Sequence, residues 1–218
     1  HEHQIREVIP DLGWDALVDF CAYNPGHVET MVGALKGSIA HYMLISTTTV
    51  YTNTWSLPVD EDGPKLSGPQ PELGLYAPRE SYFFDLLRDG TPVILPENEL
   101  ALFSFVWVVD LARIIMRCLG NSKVFDQAFN VAAEELVSYR RLVEVLGELQ
   151  GKEVPTMTMS TAEIDRRKIP LPFPLDSHLI YSGARIKRIL DFEYTPFIHG
   201  MKKTYEFYLS LQGRSAAR

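Results

Sequence analysis

Four hydroxyl side chains in succession, Ser46, Thr47, Thr48 and Thr49, stand directly behind the apolar run Tyr42-Met43-Leu44-Ile45. Such a run reads as a buried strand of a parallel sheet. Ligands of open α/β sheets bind beyond the carboxyl ends of the strands, so hydroxyls at that end can hydrogen-bond a ligand oxygen. Threonine also favours strands, and the same residues read equally as a strand running on into Val50 and Tyr51. Spacing alone leaves both readings open. Cys21 and Cys118 lie in apolar settings and read as reduced core thiols of a cytosolic protein, since two cysteines build no disulfide framework. His1-Glu2-His3 reads as a solvated chain end, and no metal site is expected.

The elements that must position these groups alternate in type. With 218 residues the chain suits one large domain or two small ones, and 46% hydrophobic with 22% charged residues is ordinary for a globular protein. A net charge of −7 gives no electrostatic case for a polyanionic partner, and no apolar run is long enough to span a membrane. The N-terminus has no signal-peptide layout. Gln4 to Leu12 has helical apolar spacing closed by Gly13, and Ala16 to Ala22 reads as a strand that is apolar except for Asp19. After Asn24-Pro25-Gly26, His27 to Leu35 reads as a helix ended by Gly37, and the strand before the hydroxyls follows. Strand, helix and strand at these spacings make a βαβ crossover, and the fold class is α/β.

Downstream, Asn53 to Gly74 is rich in Pro, Gly, Asp and Glu and reads as a long surface loop. Ser81 to Arg88 reads as an amphipathic helix, with Glu80 at its solvated start, and Pro92 to Pro96 as a short strand. Phe103 to Val109 is expected to be a strand leading through an Asp110 N-cap into a helix from Leu111 to Leu119. Gln127 to Ala132 reads as a further strand, and Ser138 as the cap of a helix from Tyr139 to Leu149. The Pro-rich stretch after it reads as irregular, before helical pieces at Ser182 to Leu190 and Ile198 to Leu211.

Five of these segments, in order, resemble the extended short-chain dehydrogenase/reductase family, the NAD-dependent epimerase/dehydratases. They are Leu17 to Ala22, Ile45 to Tyr51, Tyr76 behind its acidic loop, Phe105 to Ala112, and Phe129 to Ala132 with Ser138. Ile45 to Tyr51 is similar to the family's Ser-Ser-x-x-Val-Tyr, and Phe105 to Ala112 to its Phe-Ile-His-Val-x-Asp-Leu-Ala. The likeness covers about Trp14 to Leu149, with a weaker stretch from Tyr181 to Leu209. It is closest to the branch that includes the chloroplast stem-loop-binding proteins. Two family parts have no counterpart: the opening strand, Gly-x-x-Gly-x-x-Gly turn and helix, and the Tyr-x-x-x-Lys helix with its following strand, where Glu80 stands in place of lysine. The sequence therefore reads as pieces of a longer chain, with a member that lost its cofactor site as the alternative. Without the missing strands, Leu17 to Ala22 is expected to present a bare sheet edge.

The resemblance implies an incomplete Rossmann-like parallel sheet with a smaller C-terminal substrate domain. Residues 1–134 form a partial dinucleotide-binding domain, 79–102 within it going with the substrate domain, and 135–218 form the substrate-binding region. It implies Tyr76 as general acid/base and Thr47 as the hydrogen-bond partner of the reacting oxygen. Phe20, Cys21, Ala22, Ser46 and Tyr76 would contact NAD or NADP. The expected reaction is NAD(P)-dependent oxidoreduction or epimerisation of a small hydroxyl or carbonyl substrate, in the cytoplasm, by a protein that pairs as a homodimer. Phe103 and Ser104 replace an arginine common in relatives that bind nucleotide sugars, which argues against that substrate class. The alternatives are a catalytically silent dinucleotide-binding or regulatory protein and, disfavoured by the acidity, a nucleic-acid binder.

Overall fold

The computed structural model describes residues 2–9, 13–35, 37, 39–67, 79–97, 99 and 101–215. Helix α1 (Glu2–Val8) packs against α2 (Pro25–Leu35). Around α2 run strands β1 (Leu17–Asp19) and β2 (Tyr42–Leu44), paired in parallel with Val18 opposite Met43. This is the expected βαβ unit, but β1 ends three residues before Ala22. The reason is local: the Asp19 carboxylate takes the backbone N–H groups of Cys21 and Ala22 and turns the chain off the ladder. Cys21 is consequently exposed rather than in the core, whereas Cys118 is buried as expected.

The next elements are α3 (Arg79–Asp89), β3 (Val93–Pro96), β4 (Phe103–Ser104), α4 (Val108–Cys118), β5 (Leu136–Val137) and α5 (Tyr139–Gln150). They are followed by β6 (Thr156–Met159), α6 (Thr161–Arg166), α7 (Ala184–Leu190) and α8 (Phe197–Ser215). Strand β3 pairs in parallel with β6, and β4 pairs antiparallel with β5. The architecture is α/β, with small sheets and two parallel pairs. Ser138 caps α5 by accepting the Arg141 N–H, and Gly151, at φ +66°, closes it in the left-handed conformation.

The main core gathers Phe83 and Phe84 of α3, Val93 and Leu95 of β3, Phe103 of β4, five buried residues of α5, and Phe173, Phe197 and Met201. Phe103 and Phe173 stack at 4.8 Å between ring centroids, with the Tyr139 ring edge-on to Phe103 at 5.5 Å. A second core joins Ile114 and Cys118 of α4 to Ile186 of α7 and Phe192, with Met43, Phe129 and Val131 against it. Entry into α7 is tight: a Cβ on Gly183 would stand 2.2 Å from the Ala132 carbonyl oxygen, a place only glycine fits.

Several sequence expectations are corrected. Asp110 is not the cap of α4, which starts at Val108 behind Trp107. It is fully buried, and its carboxylate accepts the Thr195 N–H at 2.7 Å and the Thr195 hydroxyl at 2.9 Å, fastening α4 to the chain entering α8. The strand expected over Phe103 to Val109 shrinks to β4. Gln127 to Ala132 joins no ladder, because the Asn130 N–H is taken by the Glu61 side chain. The Pro-rich tract contains β6 and α6. The long loop is tied down from Val59 to Leu66. Thr52 N–H donates to Pro64 and Leu66 N–H to Val50, while Val59 exchanges backbone bonds with Ile180 and Ser182. Its last part, 68–74, and His1 lie outside the described residues.

Candidate functional site

The carboxyl ends of β1 and β2 open side by side, because the two strands are parallel and adjacent. A cavity of about 590 Å³ lies there. Its walls are Phe20, Ala22, Tyr23 and Asn24 behind β1, Pro25, Val28 and Glu29 of α2, and Leu44 to Thr47 at the end of β2. Four of the residues expected to contact a cofactor or substrate, Phe20, Ala22, Ser46 and Thr47, are thus brought together. Cys21 does not line the cavity, since the turn at Asp19 moves it off the strand. Tyr76 lies outside the described residues.

Thr47 stands where the hydroxyl run leaves the strand. It caps a 3-10 turn, Thr48–Val50, accepting the Thr49 N–H at 3.4 Å and the Thr49 hydroxyl at 3.3 Å. It also lines the cavity. The run therefore turns at Thr48 and does not continue as a strand.

Asp19 shapes this strand end in a way that its sequence position alone does not show. Its Oδ1 accepts from Cys21 N at 2.8 Å and Ala22 N at 3.0 Å, and its Oδ2 accepts the Tyr42 hydroxyl at 2.6 Å. The Tyr42 hydrogen bond, with the backbone donor of Cys21, holds the carboxyl below the usual aspartate range despite burial. Burial and the carboxylate together push the Tyr42 phenol above its ordinary value. One signal was available: Asp19 is the single charged residue in an otherwise apolar stretch, directly before an Asn-Pro-Gly break. The consequence for the site is chemical. The two strand-end N–H groups that could meet an anion are already engaged, so the β1 side offers a wall of uncharged side chains, Phe20, Ala22, Tyr23 and Asn24.

Among the described residues no group of three or more His, Cys, Asp or Glu is arranged to hold a metal ion, and no helix is long and apolar enough to cross a membrane.

No family model matches the chain. A curated relative, the chloroplast stem-loop binding protein of 41 kDa b from Arabidopsis thaliana, is 29% identical over 117 residues. That match takes in 53% of this chain and 31% of the relative, so the chain spans about a third of the length of the curated protein it matches. Solved structures agree over much more of the chain. An epimerase from Methanothermobacter thermautotrophicus superposes with a TM-score of 0.71 at 14% identity, covering 96% of this chain and 75% of that one. UDP-glucuronic acid 4-epimerase from Bacillus cereus, solved in complex with NAD, gives 0.66 at 11% identity, covering 97% and 78%. UDP-N-acetylglucosamine 4-epimerase from Methanobrevibacter ruminantium M1, in complex with UDP-N-acetylmuramic acid, gives 0.67 at 14%, covering 86% and 69%. The chain has the fold of these epimerases, a Rossmann-like α/β architecture whose sheet is incomplete here.

Proposed function

We propose that the cavity at the ends of β1 and β2 receives the nicotinamide end of NAD or NADP. On this reading the protein is an epimerase-like oxidoreductase for a small hydroxyl or carbonyl substrate. The observation that carries it is the convergence of Phe20, Ala22, Ser46 and Thr47 on one cavity at adjacent parallel strand ends. Its wall fits a planar, weakly polar group: uncharged and mostly apolar side chains on the β1 side, hydroxyls on the β2 side, Glu29 of α2 as the one charged lining group, and backbone donors withdrawn by Asp19. Such a wall suits a nicotinamide ring and its ribose better than a phosphate.

Thr47 orients the reacting oxygen by a hydrogen bond, and Tyr76 moves the proton on it as general acid/base. A phenol with an ordinary pKa of about 10 needs positive charge nearby to act at neutral pH. The residue four positions after Tyr76 is Glu80, in the first turn of α3, so no lysine stands there. When bound, the nicotinamide ring supplies the hydride chemistry and a positive charge. Residues 1–134 form the cofactor-binding part, and 135–218 together with 79–102 form the substrate part. The main core supports that grouping by joining α3 and β3 to α5 and α8. Helix α7 packs instead on α4 and bridges the two parts. Pairing of two copies through helices beside the sheet belongs to the same reading.

The test is titration of NADH and NADPH into the purified protein, followed by cofactor fluorescence. Saturable binding of one of them is expected, weakened at least tenfold by Phe20→Asp, which puts a charge on the apolar wall. A folded protein that binds neither overturns the reading. Binding without turnover of any hydroxyl or carbonyl substrate would mark the silent dinucleotide-binding alternative. The likeness to a stem-loop binding protein favours a second reading, nucleic-acid binding, against which stands the net charge of −7. A gel-shift with stem-loop nucleic acid at rising salt tests it, and salt-sensitive retardation is the result that would support it.

A further inference from the structure

Glu61 holds a carboxylate in the interior of the long loop, with its side chain only 4% exposed. One oxygen accepts the Asn130 backbone N–H at 3.0 Å, and the other faces Arg185 Nε at 3.4 Å. Asn130 is buried too: its Nδ2 donates to the Val59 carbonyl at 3.1 Å, and its Oδ1 accepts the Tyr51 hydroxyl at 2.9 Å. Arg185 continues to Asp62 at 2.7 Å. Four segments therefore meet in one polar network: the end of the 3-10 turn at Tyr51, the loop that follows it, Asn130 and the first turn of α7. A buried charge is tolerated only when paired and hydrogen-bonded, and a satisfied network holds its members to one arrangement. Tyr51 is the member that matters for the site. It closes the 3-10 turn by donating its N–H to Thr48, and the other end of that turn is Thr47, at the cavity wall.

We propose that Glu61 is a positioning residue for the cavity: through Asn130 it holds Tyr51, and through Tyr51 it fixes the turn that presents Ser46 and Thr47. That the wall meets a cofactor rests on the reading above; the positioning itself does not.

Hydrogen–deuterium exchange on the full chain tests this with Glu61→Ala, Glu61→Gln, Tyr51→Phe and the Glu61→Ala/Tyr51→Phe double variant. Exchange at the Val50, Tyr51 and Leu66 amides is expected to rise about tenfold in Glu61→Ala and in Tyr51→Phe, while amides in the middle of α5 are unchanged. Glu61→Gln keeps an acceptor for Asn130 and is expected to retain protection to within about threefold of the parent. The double variant should exchange no faster than Glu61→Ala alone, because both substitutions cut one chain of contacts. Unchanged protection at these amides, an equal rise in α5, or additive effects would overturn the proposal. Should Glu61→Ala fail to fold, Tyr51→Phe alone decides: it removes a single hydroxyl, and unchanged protection at Val50 and Leu66 sinks the idea. NADH titration of the same proteins reads the cofactor assignment separately. If no variant and no parent binds while the exchange pattern holds, the cofactor reading fails and the positioning role stands.

Discussion

The two parallel-strand regions of this molecule are held in different ways. Between residues 13 and 52 the buried residues among those described are Asp19, Ala34 and Leu35, and one of the three is a carboxylate. Phe20, Tyr23 and Leu44 are exposed there at 58%, 82% and 42%. Around β3 and β6, by contrast, α3, β4, β5, α5 and α8 close over an aromatic and aliphatic interior in which Val93, Val137, Val145 and Leu146 are fully buried. The first region is shaped by polar clamps at its strand ends, the second by removal of apolar surface from water. Candidate chemistry falls in the first. A candidate site framed by hydrogen-bonded carboxylates leaves its apolar and hydroxyl side chains open to a ligand, and its order depends on charge state.

This contrast can be broken most directly by paired truncations. Leu146→Ala, in the main core, is expected to cost about 2–5 kcal/mol, and Leu44→Ala, on β2, under about 1 kcal/mol. Urea denaturation of the two variants measures both, and equal costs would show that the strand-end region is as tightly packed as the other. Tyr139→Phe should fall between them. The buried Tyr139 hydroxyl donates to the Phe173 carbonyl at 2.5 Å and accepts the Phe173 N–H at 2.9 Å. Removing it while keeping the ring costs roughly 1–3 kcal/mol, because two buried backbone groups lose that partner. A loss below a few tenths, in the same denaturation experiment, would mean that the hydroxyl contributes nothing beyond the ring's packing.

What could be read from the sequence followed the same division. Helices α2, α3 and α5 announced themselves by apolar spacing, and α5 also by Ser138, because those signals are local. Strand β6 did not. Its residues Thr156 to Met159 are mostly exposed and pair with β3 some sixty residues earlier, so no nearby pattern marks them. Gln127 to Ala132 misled for the converse reason: it is a short, mostly apolar run, but Asn130 spends its backbone N–H on Glu61, 69 residues away in sequence. At the site, the family resemblance pointed to Phe20, Ala22, Ser46 and Thr47, and these four line one cavity. Cys21 lies outside that cavity because the strand stops earlier than its composition suggests. The cause is the Asp19 side chain, whose other partner, Tyr42, is 23 residues away. Polar clamps between distant segments leave no periodicity to read.

A small expected effect is also the sharpest test of a charge-dependent site. Asp19 has its pKa lowered in the folded protein by the Tyr42 hydroxyl and the Cys21 N–H. Its contribution to stability is therefore fully present above the unfolded value of about 3.9, and it is lost as pH falls through the lowered folded value. Tyr42 runs the other way. Its folded pKa is raised by burial and by Asp19, so its contribution is present below the unfolded value of about 10 and is lost as pH rises through the folded one. Asp19→Asn keeps one acceptor oxygen but removes the charge that both shifts share. The stability gap between parent and variant should be roughly 1 kcal/mol near neutral pH. It should narrow below about pH 4, where the unfolded chain protonates Asp19 before the folded one does, and narrow again above about pH 10, where the unfolded Tyr42 ionises while Asp19 and burial keep the folded one protonated. Urea midpoints measured from acid to alkaline pH give the comparison directly. Parallel curves for the two proteins would mean that the strand end is held by packing after all, and that the two regions differ in exposure but not in kind.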